Sequence, residues 1–329
     1  MPRGLEGSKP HNRILTRWTR TRDNARLMAT IQAYDYPSEV ESRFPGLIDK
    51  LREIIQELES KHEGGSHSES FLWEHTLHAA SIASQLAHAE RVDPLIPVVA
   101  ALFHDAGKFA GGGYHTDETP EEEESARIAR KLLQQFGMKA PDIRRVLAGL
   151  KALYNEKARR NSVADIIHDA DFLSKFGALG VAGFFIKSAL RRRTLRSTVL
   201  GYLSKELTYA SCLPLNMRTA SGRKLAARKS SDSLRFFRSL LAELREARIA
   251  NLRIRRLRIP NPAARNESLN VQLVLSPTCP KCGNSWAPAW TTDKGVKCRK
   301  LNVDWTCSHC REHLETSFCL PEIGFENRE

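Results

Sequence analysis

Apolar residues of this chain recur at helical spacing from Phe44 onward: Leu47, Leu51, Ile54, Ile55 and Leu58, with charges between them. That pattern predicts a helix, ended by Gly64-Gly65-Ser66. A second helix begins near Trp73 and runs through Ile82 and Leu86, and Asp93-Pro94 leads into a third. The third contains Val98-Val99-Ala100-Ala101-Leu102-Phe103, apolar on every side, which predicts burial all round. After a flexible Gly111-Gly112-Gly113 loop comes a marked helix start. Thr119 is the expected cap, Pro120 takes the first turn, and Glu121 to Glu124 lie against the positive end of the helix dipole. Ile128, Leu132, Leu133 and Phe136 carry that helix on. Further helices are predicted over about Ile143–Tyr154, Val163–Lys187 and Ser233–Ala247, the last with Leu234, Phe237, Leu241 and Leu244 on one face. No alternating strand pattern precedes about residue 250, so this part reads as all-α.

After Ala250 the period changes. Arg253, Arg255, Arg256 and Arg258 interleave with Leu252, Ile254, Leu257 and Ile259, close to a strand period of two, until Pro260-Asn261-Pro262 stops it. Asn270–Leu275 reads as another strand, and a small β-rich module follows. The pattern divides the chain into a basic tail (1–35), a helical domain (36–250), a basic linker with strands (251–275) and the β-rich module (276–329). There are no internal repeats.

Charge narrows the partners. Lys+Arg 51 against Asp+Glu 38 gives a net +13, a balance that attracts nucleotides, nucleic acid or an acidic partner, or simply keeps a basic surface soluble. No run approaches the roughly 18 apolar residues needed to span a bilayer. The Arg-rich, acid-poor start has no apolar signal core; it suits a transit peptide or a plain basic tail. Of seven cysteines, only Cys212 precedes Cys279. This crowding suits a metal module in a reducing cytosol, so a cytoplasmic location is expected.

His104 and Asp105 close the apolar run of the third helix, and Gly107-Lys108 follow at once. Burying an imidazole beside a carboxylate is costly unless the two are paired or hold a metal. His75 lies in Trp73-Glu74-His75-Thr76-Leu77-His78, and Asp171 in His168-Asp169-Ala170-Asp171-Phe172-Leu173. Imidazoles and carboxylates from several helices can fix a divalent ion and leave positions open for water and substrate. His75, His104, Asp105 and Asp171 are the expected ligands. Lys108 could reach a substrate phosphate or be a solvated helix-end lysine. Asp169 could orient a ligand or cap a helix locally.

This H…HD…D series resembles the HD superfamily of metal-dependent phosphohydrolases. Over about residues 45 to 248 the chain is most similar to the YpgQ/YedJ-like branch, through Asp169–Ala182 and Asn216–Ala226. The resemblance implies an all-α HD-domain helical bundle and a nucleotide pyrophosphohydrolase using a single metal, often manganese. Asp105 and Lys108 would be catalytic. The chain departs from the branch at Phe172, where a basic residue is usual, and at Ser174, where an acid is. Relatives with two metals add histidines after the HD pair; here the Glu121–Glu124 run and Leu153-Tyr154 stand near those positions, with His115 the spare histidine. One metal is therefore expected.

Cys279-Pro280-Lys281-Cys282 and Cys307-Ser308-His309-Cys310 are two C-x-x-C knuckles. Four thiolates so arranged suit tetrahedral Zn2+ in a zinc ribbon, with Cys298, Cys319, His309 and His313 as spare donors. Trp286, Trp290 and Trp305 are expected in the core of this small module, or else stacked on bases. The leading reading is a hydrolase of a small phosphorylated substrate, most readily a nucleotide. The alternative is a phosphodiesterase or nuclease whose ribbon and basic segments (Arg191-Arg192-Arg193, Arg196 and the Arg253–Arg258 stripe) hold a nucleic acid. A non-enzymatic ligand sensor is a third reading, opposed by the intact ligand set.

Overall fold

A computed structural model describes residues 36–63, 70–110, 120–155, 159–260, 268–279, 281–286, 288–294 and 299–321. The basic tail 1–35, Gly64-Gly65-Ser66, the Gly111–Gly113 loop with His115 and Thr119, Asn261-Pro262 and Cys298 lie outside these residues. Ten helices come first among the described residues: α1 (Tyr36–Arg43), α2 (Leu47–Glu63), α3 (Phe71–Ala89), α4 (Leu95–Phe103), α5 (Glu121–Gln135), α6 (Ala140–Ala152), α7 (Ser162–Ser174), α8 (Gly177–Leu190), α9 (Leu195–Asn216) and α10 (Ala220–Glu246). Five strands follow: β1 (Arg253–Pro260), β2 (Ser268–Leu275), β3 (Ala289–Lys294), β4 (Arg299–Thr306) and β5 (His313–Cys319).

The all-round apolar helix is α4, and every one of its residues is buried. It lies against α3, α6 and α7. Polar caps fix those neighbours. Ser70 caps α3 by accepting from the Trp73 N–H at 2.9 Å, while the buried Glu59 of α2 accepts from the Ser70 hydroxyl and the Leu72 N–H. Asn161 caps α7 by accepting from the Ala164 N–H at 2.9 Å.

Two expectations change. The single helix over Val163–Lys187 is two helices, α7 and α8, bent by 68°. The break follows Lys175-Phe176, where Gly177 takes φ +76° and donates its N–H to Ser233 Oγ of α10 at 2.8 Å. The last helix begins at Ala220 rather than Ser233, and α9 has no counterpart in the sequence pattern. Its apolar residues serve two partners: Leu203 and Leu207 meet Phe237 of α10, whereas Cys212 joins the core below the strands. A helix that packs on two sides shows no single stripe.

Asp169 anchors the residue that caps α10, Thr219. Its Oδ1 accepts from the Arg218 N–H at 2.8 Å, and its Oδ2 from the Thr219 N–H at 2.8 Å and the Thr219 hydroxyl at 2.7 Å. This binds α7 to the start of α10. A Cβ on Gly222 would sit 2.3 Å from Asp169 Oδ2 and 2.6 Å from Thr219 Oγ1. Gly222→Ala is therefore expected to cost about 1–3 kcal/mol by overpacking. A thermal melt should show a midpoint several degrees lower; an unchanged midpoint would mean the turn has room to give.

β1 and β2 form an antiparallel hairpin, Arg256 opposite Gln272, and β3-β4-β5 form an antiparallel sheet. The hairpin belongs to two cores. Val274 and Leu252 lie with Val199, Leu203 and Phe237 of the helices. Ile259, Leu269, Val271 and Leu273 lie with Leu301, Val303, Trp305 and Phe318 of the sheet. The outer edge of β2 is closed by α9, since Ser204 Oγ accepts from the Val274 N–H at 2.9 Å and Thr208 Oγ1 from the Gln272 N–H at 3.0 Å. The spacing is physical: two strand residues span about 6.6 Å and four helix residues about 6 Å, so hydroxyls at i and i+4 reach alternate strand amides.

Candidate active site

The residues expected at the metal centre come together. His75 stands on α3, His104 caps the C-terminal end of α4 with Asp105 in the following turn, and Asp171 stands on α7. His75 Nε2 lies 3.3 Å from His104 Nε2 and 3.1 Å from Asp171 Oδ1, and His104 Nε2 lies 3.5 Å from Asp171 Oδ1. Asp105 Oδ2 is 3.5 and 3.6 Å from the two imidazole nitrogens. The turn that carries Asp105 is held by Ser125 of α5. Its Oγ accepts from the Gly107 N–H at 2.9 Å and donates to the His104 carbonyl at 3.0 Å.

Hydrogen bonds fix both tautomers. His104 Nδ1 donates to the Ala101 carbonyl at 2.7 Å. The Ser174 hydroxyl donates to the Asp171 carbonyl at 2.7 Å, so its oxygen accepts from His75 Nδ1 at 3.2 Å. In the neutral rings both Nε2 atoms are then proton-free acceptors. They face each other beside Asp171 Oδ1, which is buried without a hydrogen-bond partner. Acceptors turned on one another repel unless a proton or a metal cation lies among them. One donor atom from each of His75, His104 and Asp171 falls within a 4.8 Å cluster, and a nitrogen and oxygen set of this kind suits a divalent ion.

The charges agree with a cation-seeking pocket. Burial pushes the His75 imidazole down. Burial acts on His104 too, but the Asp105 and Asp171 carboxylates overcome it and raise its pKa. Against their own burial, Asp105 is held below the usual carboxylate range by Lys108 and the imidazoles, and Asp171 by Lys175 and the imidazoles.

Several neighbours escaped the sequence reading. Tyr154 donates its hydroxyl to Asp171 Oδ2, and Lys175 Nζ donates to the same oxygen at 2.7 Å. Lys108, expected to face substrate, has Nζ 2.7 Å from Asp105 Oδ2 and 3.5 Å from Glu121 Oε1. Glu121, read only as a helix-dipole partner, is pushed up to about 7 by burial and by Asp105, against the pull of Lys108. Lys187 of α8 lies over the ring of Phe71, 6.0 Å from its centroid, and Phe71 is one turn before His75 on α3. Ser174 and Lys175 stand three and four residues after Asp171, a helical spacing legible in advance. Tyr154 carries no such signal.

The second candidate centre is at the chain's other end. Cys279, Cys282, Cys307 and Cys310 cluster within 4.8 Å, with Sγ pairs Cys279–Cys310 and Cys282–Cys307 each 3.5 Å apart. The knuckles share one turn. The Gly283 N–H donates to the Cys279 carbonyl at 2.9 Å and the Arg311 N–H to that of Cys307 at 3.0 Å, with Gly283 at φ +76° and Arg311 at φ +61°. The Cys310 backbone N–H holds the Cys307 thiol down, while, against the Glu312 backbone N–H, burial and the neighbouring thiols push Cys310 up, so one thiol of this tight set is readily ionised and another is not. Among the spare donors, Cys319 is disulfide-bonded and His309 and His313 are exposed. Of the tryptophans, Trp305 is buried in the shared core and Trp286 packs on its margin, but Trp290 is 38% exposed.

A helical bundle that gathers buried imidazoles and carboxylates from three segments makes a site suited to a divalent metal ion. Residues 72–175 match the family model of the HD domain. It is similar to several solved structures. A predicted HD superfamily hydrolase from an uncultured Thermotogales bacterium is 21% identical, with TM-score 0.44 over 63% of this chain and 97% of that one. YpgQ of Bacillus subtilis in complex with ADP is 21% identical, with TM-score 0.43 over 61% and 96%. An HD-superfamily hydrolase from Bacillus thuringiensis is 18% identical, with TM-score 0.41 over 60% and 97%. No curated protein matches the sequence. No single helix among the described residues is long and apolar enough to cross a membrane.

Proposed function

We propose that this HD-domain protein is a hydrolase that acts on nucleotides, cleaving a phosphoanhydride or phosphoester bond, with one divalent ion (manganese or similar) held by His75, His104, Asp105 and Asp171. The observation that carries this reading is the convergence of the His75 and His104 Nε2 atoms on Asp171 Oδ1, which is buried without a hydrogen-bond partner. A bound ion there would polarise a phosphate and lower the pKa of an attacking water. The protein's own residues prepare that chemistry. Ala101 and Ser174 hold the imidazoles in their tautomers, a support that orients ligand atoms. Tyr154 and Lys175 occupy Asp171 Oδ2 and so leave Oδ1 to the imidazoles. Lys108, beside Asp105, stabilises negative charge that develops on the phosphate.

The nucleotide reading rests on charge. Lys108 and Lys175 each lie 2.7 Å from a proposed ligand carboxylate. Lys187 is pushed down to about 8 by burial and then by the charges of Lys108, Arg191 and Lys175. Cations so crowded are relieved by a polyanion, and consecutive phosphates supply one. In this reading residues 36–250 form the HD domain and 251–275 join it to a ribbon, 276–329, whose four cysteines hold structural zinc.

A manganese-supplemented screen of nucleotides and short DNA or RNA, with products identified, tests the reading. Phosphate or pyrophosphate released from nucleotides supports it, and shortened polymer favours the nuclease alternative instead. Lys187→Ala should raise KM for a triphosphate about tenfold while kcat changes less, the mark of lost ground-state binding. An unchanged KM would separate Lys187 from substrate.

A further inference from the structure

Away from the HD centre, a cavity of about 390 Å³ lies between the C-terminal part of α9, the middle of α10 and the β1–β2 hairpin. None of the proposed metal ligands lines it, and what fills it is independent of what the HD centre hydrolyses. Its size falls within the range of small-molecule sites. Its walls differ in character. Arg238 comes to it from α10 and Arg256 from β1, and no acidic residue lines the cleft. Both arginines are exposed, and neither forms an ion pair among the described residues. Leu215, 68% exposed, and Leu234 add apolar side chains to its lining.

Gln272 supplies the independent sign of a ligand. It lines the cleft directly opposite Arg256 in the hairpin register, yet is only 5% exposed. Its backbone N–H is satisfied by Thr208, but its side-chain Oε1 is buried with no hydrogen-bond partner. A buried unsatisfied amide is unfavourable unless something arrives to complete it. Guanidiniums on two walls match a phosphate dianion, leucines match a flat apolar ring, and a carboxamide matches a base edge, which presents donor and acceptor side by side.

We propose that this cleft binds a mononucleotide, with its phosphate between Arg238 and Arg256, its base against Leu215 and Leu234, and the Gln272 carboxamide on the base edge. The test measures AMP binding to the full chain by calorimetry and compares it with Asp171→Asn, Arg238→Glu, Arg256→Glu and Leu215→Trp. The last fills the cleft from an exposed position and leaves its charge untouched. A saturable AMP site should persist in Asp171→Asn and weaken about tenfold or more in each of the other three, as loss of a charge-assisted contact or of space requires. Wild-type binding in Arg256→Glu and Leu215→Trp would overturn the assignment. So would loss of all binding in Asp171→Asn, which would place AMP at the HD centre. Inorganic phosphate competing as strongly as AMP would also overturn it, by reducing the cleft to a simple anion site.

Discussion

Asp105→Ala is expected to lower hydrolysis about a thousand-fold or more, because an absent or displaced ion forfeits several kcal/mol of transition-state stabilisation. The loss should be chemical rather than structural. Asp105 lies in the turn after α4, and its carboxylate meets His75, His104 and Lys108 rather than the backbone that shapes the bundle. The helical circular-dichroism signal should persist while bound metal, measured by elemental analysis, falls. Undiminished turnover at equal metal occupancy would remove Asp105 from the proposed ligand set. His104→Ala should behave alike in turnover but lower stability as well, because His104 is 3% exposed and its removal opens a hole at the end of α4.

The other large effect is expected at the cysteines. Structural zinc contributes about 10–16 kcal/mol of apparent folding energy in small domains, so a strong chelator, or Cys279→Ser, should unfold β3–β5. The damage should not stop there. Leu301, Val303, Trp305 and Phe318 share a core with Leu269, Val271 and Leu273 of the hairpin and with Cys212 of α9. Hydrogen exchange should therefore lose protection across residues 268–321 while α3, α4 and α7 keep theirs. Absence of zinc in the purified protein, or protection unchanged after chelation, would reject a metal-built ribbon.

Much of this was legible in the chain. An apolar stretch with no polar face has to be buried, and α4 is. His75, His104, Asp105 and Asp171 fall together as the H…HD…D order implies, because each ends or lines a helix of that core. The four cysteines gather because short knuckles bring their thiols to one point. What remained hidden depends on contacts distant in sequence. Nothing local shows that Tyr154 reaches Asp171, or that Asp169 spends its oxygens on Arg218 and Thr219 forty-nine and fifty residues away. Helix α9 escaped because it serves two cores. The period changes after residue 250, yet the hairpin that follows packs both ways, against the helices and against the sheet.

That two-sided hairpin has a consequence for how the protein is made. A ribosome extends the chain at about 5–20 residues per second, so β2 emerges seconds before β4 and β5 do. During that interval Leu269, Val271 and Leu273 belong to a hairpin whose helix side is ready and whose other side is bare. The nascent chain then carries an apolar strand face waiting for a sheet that needs its cysteines drawn together first. Metal supply during synthesis, rather than the stability of the finished helices, would then set the yield of soluble protein.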